Sequence, residues 1–95
     1  MTILSKTKFY IDGRWVNPLK PKNLEVINPS NEEVCAVISL ASQEDADLAV
    51  NAAKHSFNKW WNTSKKDKLN LLNNLLAIYE KRFQEMAEAI TLEMG

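Results

Sequence analysis

Cys35 is the only soft nucleophile in this sequence, and a cysteine poised beside a base could attack a carbonyl carbon. Its neighbours argue otherwise. Val34, Ala36, Val37 and Ile38 place it inside an apolar run, where a thiol behaves as a small buried hydrophobe. His55 is the only histidine, without a second histidine or a cysteine at metal-ligand spacing. It falls off the main apolar face of its helix and is expected at the surface or its boundary. Glu32–Glu33 and Asp45 with Asp47 are the closest carboxylate pairs. The first belongs to a turn and the second to the first turn of a helix, where acids complement the helix dipole, so capping explains them better than acid/base chemistry. Trp60–Trp61 near Lys59, Lys65, Lys66 and Lys68 has the ingredients of a stacking platform for single-stranded nucleic acid. Trp60 also lies on an apolar helix face and the lysines flank a cap, so packing in a core is the expectation. Gly13 and Gly95 are the only glycines, which excludes a Gly-rich phosphate cradle of either the dinucleotide or the P-loop kind. No residue is therefore assigned a catalytic or cofactor-binding role.

The elements that would carry these residues follow from periodicity. "KFYI" and "RWV" flank Asp12-Gly13, a strong hairpin signal because both central turn residues must take positive φ. "NPLKPKN" is a loop. "LEVI" and "EEVCAVISL" form a strand pair around "NPSN", in which Asn31 is the residue expected to tolerate left-handed geometry. The run Val34 to Ile38 is apolar on both faces, so this strand is expected to be covered on both sides. From Ser42 the period lengthens to three and four. Ser42 with Asp45 makes a capping box ahead of Ala46, Ala49, Val50, Ala53, Phe57 and Trp60. Ser64 with Asp67 opens a second helix, whose stripe of Leu69, Leu72, Leu76 and Tyr79 is widened by Leu71, Leu75 and Ile78. A stripe that wide needs two neighbours. Phe83, Met86, Ala87, Ile90 and Met94 continue the pattern after an expected break near Lys81 and Arg82. The fold class is α+β: a β-hairpin and a strand pair over residues 1–40, then two or three amphipathic helices over 41–95.

Length and charge limit the rest. Ninety-five residues suffice for one modest core. Twelve basic and twelve acidic residues cancel, so no long-range field would gather nucleic acid or an anionic membrane. One cysteine cannot form an internal disulfide. The start "MTILSKTK" has no apolar signal region, and Val34–Ile38 is far short of the ~20 residues that span a bilayer. A cytoplasmic location is expected.

"FYIDGRWVNP", "LEVINPSNEEV", "ASQEDADLAVNAAKHSFNKW" and "SKKDKLNLLNNLLAIYEKRFQEMAEAITLEMG" resemble, in order and spacing, the N-terminal segment of the aldehyde dehydrogenase superfamily. Two positions depart from the pattern. Glu32 stands where the family often has a glycine, which shifts the unusual backbone angle to Asn31, and Lys68 stands where an arginine is common. The resemblance implies a parent that oxidises an aldehyde to a carboxylic acid with NAD or NADP, using a cysteine nucleophile that lies outside this sequence and is not Cys35. It implies that residues 1–95 form one N-terminal segment associated with a Rossmann-like cofactor-binding domain, with the rest of the chain as its partner in a homo-oligomer and no catalytic domain of its own. It also implies a monovalent cation, Na+ or K+, held by the carbonyl of Ile27 and the carboxylate of Glu93.

Two readings remain. One is an N-terminal segment, inactive alone, in which "ITLEMG" is a helix cap leading onward. The other is a self-standing interaction or oligomerisation module without enzymatic activity.

Overall fold

The computed structural model describes residues 2–95. Five strands precede three helices: β1 Leu4–Lys6, β2 Phe9–Ile11, β3 Arg14–Val16, β4 Asn23–Asn28, β5 Glu33–Ser39, α1 Gln43–Trp61, α2 Lys65–Lys81 and α3 Phe83–Met94.

Asp12 and Gly13 both take positive φ, 54° and 77°, which gives the turn the twist of the strands it joins and pairs Tyr10 with Trp15 across β2 and β3. β5 is the middle of a second sheet, ordered β1-β5-β4. β4 runs antiparallel to it, as adjacent strands joined by a tight turn must, and β1 runs parallel to it. The pairing passes from Val26–Ala36 to Ile27–Val34, leaving Cys35 as the extra residue of a bulge. Its Sγ donates to the Val26 carbonyl at 3.4 Å. That bulge explains how two successive residues, Cys35 and Ala36, are both buried in a strand whose side chains otherwise alternate.

The turn between β4 and β5 corrects one expectation. Glu32, not Asn31, carries the left-handed angle, with φ of 60°. The Glu32 amide donates to the Asn28 carbonyl at 2.8 Å, and the Asn31 Oδ1 accepts from the Glu33 amide at 3.0 Å. Asn31 thus closes the turn with its side chain, and the left-handed position falls on its neighbour. An L-residue costs about 1–2 kcal/mol there relative to the ordinary basin. Glu32→Gly is expected to stabilise the fold by up to about 1 kcal/mol, less than the full relief because glycine loses more entropy on folding. A raised urea midpoint at unchanged slope checks it.

Ser42 caps α1 with the full reciprocal box and Ser64 caps α2 through the Asp67 amide. The expected break is present: Arg82 leaves helical geometry at φ −105°, ψ 15°, separating α2 from α3. Across it, Arg82 grips Glu85 through two nitrogens at 2.9 and 3.3 Å. α1 packs on the hairpin strand β2 and α3 lies over β4.

These layers do not close around a core. Among the described residues, Cys35 and Ala36 are the only buried apolar ones. The molecule is a plate of 48 × 34 × 16 Å with a radius of gyration of 17.0 Å, where a compact chain of this length would have about 12 Å. It exposes 8224 Å², against about 5,600 Å² for a self-sufficient protein of its mass, an excess of about 2,600 Å². The expectation that Trp60 is packed in a core is corrected on the same ground. Trp60 is exposed, with Lys68 Nζ 5.2 Å above its ring, because no element of this chain covers that face of α1.

Candidate functional site

The chemically capable side chains stay apart. Cys35 is buried at the bulge and faces a backbone carbonyl, away from any base. His55 is exposed, with its Nδ1 2.7 Å from the Asn51 carbonyl one helical turn back. Glu32 and Glu33 sit in the turn, and Asp47 accepts from the Gln43 side chain. Among the described residues no three His, Cys, Asp or Glu side chains gather as a metal site. Nor, among the described residues, is any helix long and apolar enough to cross a membrane.

Asp45 has a use that sequence reasoning only half found. As well as completing the box with Ser42, its Oδ1 accepts the Leu19 amide at 3.1 Å, 26 residues back in the chain. The backbone amide of Ser42 first, then that of Leu19, holds its carboxyl below the usual carboxylate range. Lys20 reaches Glu44 at 3.0 Å beside it, so the loop after the hairpin is tied to the start of α1. The Ser-x-x-Asp spacing announced the cap. Nothing local announced Leu19.

The helix N-termini do not fit a dinucleotide. A phosphate is drawn to such an end by unpaired amides and the positive end of the dipole. Here each first turn already contains an acid: Glu44 and Asp45 in α1, Asp67 in α2 and Glu85 in α3. These carboxylates would repel a pyrophosphate from the amides they neighbour.

Ile27 and Glu93 belong to elements that the fold brings together. A Cβ added at Gly95 would lie 3.2 Å from the Ser30 amide and 3.4 Å from Pro29 Cβ, so the end of α3 abuts the turn that follows β4. Both residues are exposed. Asn28, next to Ile27 in the chain, is buried, and its Oδ1 accepts from the Ser30 amide and hydroxyl at 3.0 and 2.9 Å.

What the molecule does offer is apolar surface. Leu69, Leu72, Leu76 and Tyr79 stand open along one side of α2, and Leu71, Leu75 and Ile78 along the next. β1, α2 and α3 frame a hollow of about 500 Å³, floored by Leu4, Leu75, Ile78, Tyr79 and Met86 and rimmed by Lys6, Arg82 and Glu85. An apolar floor with a charged rim is the anatomy of a protein interface.

Comparison with known proteins identifies the family. Residues 15–95 match the aldehyde dehydrogenase family. A 3-succinoylsemialdehyde-pyridine dehydrogenase of a Pseudomonas species is 47% identical over 88 residues, which cover 93% of this chain and 18% of that protein. An aldehyde dehydrogenase from Bartonella henselae superposes with a TM-score of 0.93 at 51% identity, over 95% of this chain and 19% of that one. Aldehyde dehydrogenase C of Pseudomonas syringae, solved with NAD+ and octanal, gives 0.89 at 40% identity, over 90% of this chain and 18% of its own. The chain spans about a fifth of the length of the relatives it matches. A plate with open apolar faces and no reactive cluster is what one layer of a larger enzyme looks like by itself, and this chain belongs to the aldehyde dehydrogenase family, as an N-terminal segment of it.

Proposed function

We propose that residues 1–95 act as one structural segment of an NAD(P)-dependent aldehyde dehydrogenase, inactive alone and completed by the remainder of the enzyme chain. The observation that carries this reading is the excess of about 2,600 Å² of surface over that of a self-sufficient protein, together with exposed large apolar side chains along all three helices. The parent reaction takes an aldehyde and water to a carboxylic acid, with hydride passing to the nicotinamide. This segment contributes none of the reacting atoms. Its part is to cover and brace the cofactor-binding domain with α2, α3 and the β1-β5-β4 sheet. The parent is a cytoplasmic homo-oligomer in this reading.

The test is a chimera in which residues 1–95 replace the matching segment of the Bartonella henselae enzyme. It is expected to oxidise aldehydes with a nicotinamide cofactor, whereas the 95-residue chain alone shows no heat of binding with NAD. Micromolar affinity of the isolated chain for NAD, or a folded but inactive chimera, overturns the reading.

The same proposal gives Ile27 and Glu93 a shared Na+ or K+. Hard cations are held by several oxygens at once, and a carbonyl with one carboxylate supplies two donors and the balancing charge. In the chimera, thermal stabilisation by added K+ or Na+ is expected to vanish with Glu93→Gln. Its persistence would remove Glu93 from the site.

A further inference from the structure

We propose that the hollow framed by β1, α2 and α3 anchors a docking surface strong enough to hold this segment to the remainder of an aldehyde dehydrogenase chain without a peptide bond between them. The inference rests on the reading above and goes beyond it, since a covalently continuous enzyme needs no such strength.

Three observations carry it. The first is area. Covering an excess of about 2,600 Å² on this segment, with a similar area on its partner, reaches the class of permanent complexes at about 2,000–5,000 Å² or more. The second is chemistry. Leu4, Leu75, Ile78 and Met86 floor a hollow of about 500 Å³, and Lys6, Arg82 and Glu85 surround it, so an apolar projection can seat there while water is kept out by a polar rim. The third is preorganisation. The hairpin and the helices are specified by local signals that the segment carries itself, the positive-φ turn at Asp12 and Gly13, the Ser42–Asp45 box, the Ser64 cap and the Arg82–Glu85 grip, while β1 is held by its pairing with β5 inside the same segment. A surface built in advance loses less entropy when it binds.

The experiment uses the folded chimera with a protease site inserted directly after Gly95. Once cleaved, the two pieces are expected to co-elute by size exclusion and to keep most of the uncleaved activity. Leu75→Asp is expected to raise the fraction dissociated after cleavage at least tenfold, because it sets a charge in the floor of the hollow. Should that variant fail to fold, Leu75→Ala is read in the same assay, with a smaller shift in the same direction. Separation of the pieces on cleavage of an active chimera overturns the inference and leaves the segment reading intact. Co-elution that neither Leu75 variant weakens overturns the hollow as its anchor. An uncleaved chimera that folds without activity overturns the reading beneath both.

Discussion

Leu76→Ala is expected to cost about 2–5 kcal/mol within a full-length aldehyde dehydrogenase and less than about 0.5 kcal/mol in the 95-residue chain. The difference comes from the surroundings alone. In this chain Leu76 is 54% exposed, so truncation removes little that is hidden from water. Once the stripe is covered, the same truncation forfeits the transfer energy of the removed atoms and leaves a cavity. Denaturant melts of the chimera and its Leu76→Ala variant, set against melts of the isolated chain and its variant, measure both numbers. The isolated chain should also associate less with the substitution, since less apolar surface is on offer. Equal effects in the two settings would mean that α2 meets the same environment in both, and the covering role of the enzyme would fall with that result.

Asp45→Ala should free the loop around Leu19 and fray the start of α1 together. Three donors lose their acceptor at once: the Leu19 amide at 3.1 Å, and the Ser42 amide and hydroxyl, each at 3.0 Å. Amide exchange at Leu19 and Ser42 should accelerate markedly, with a loss of helical ellipticity. Acid should reproduce the effect in the unsubstituted chain. Because Asp45 titrates below its ordinary value near 3.8 when folded, its contribution is fully present above that value and is lost as pH falls through the depressed one. Asp45→Asn keeps one carbonyl oxygen and should retain part of the protection, but without this pH dependence. Protection at Leu19 that survives Asp45→Ala would show that the loop is held by other means.

What could be read from the sequence was what neighbours in the chain decide. Asp12-Gly13 specified its turn, Ser42 and Ser64 their caps, and the phase change near Arg82 a break, because each depends on residues within about four positions. β1 was missed for the opposite reason. "LSK" has one apolar residue, and its strand exists only through parallel pairing with Ala36–Ile38, about thirty residues away. The Asp45–Leu19 bond is of the same long-range kind. Glu32 was misread because turn closure by the Asn31 side chain, rather than left-handed propensity, chose which residue took the positive φ. The apolar stripes of α2 lie where periodicity placed them, and in this chain they stand exposed. Trp60, expected in a core, is exposed because helical periodicity marks an apolar face without saying what covers it. The proposal of Ile27 and Glu93 as cation donors came from resemblance alone, since a carbonyl and a carboxylate 66 positions apart leave no trace in local periodicity.

A plate 16 Å thick has almost no depth at which a side chain can hide from solvent. In relatives about five times as long, such a segment is synthesised first, with about 400 residues still to come, or about 20–80 s at ordinary ribosome speeds. For that interval its leucines face solvent with nothing in this segment to cover them. Lys65, Lys66, Asn70, Asn73 and Asn74, exposed on the same helix, set polar groups beside those leucines where water can reach both.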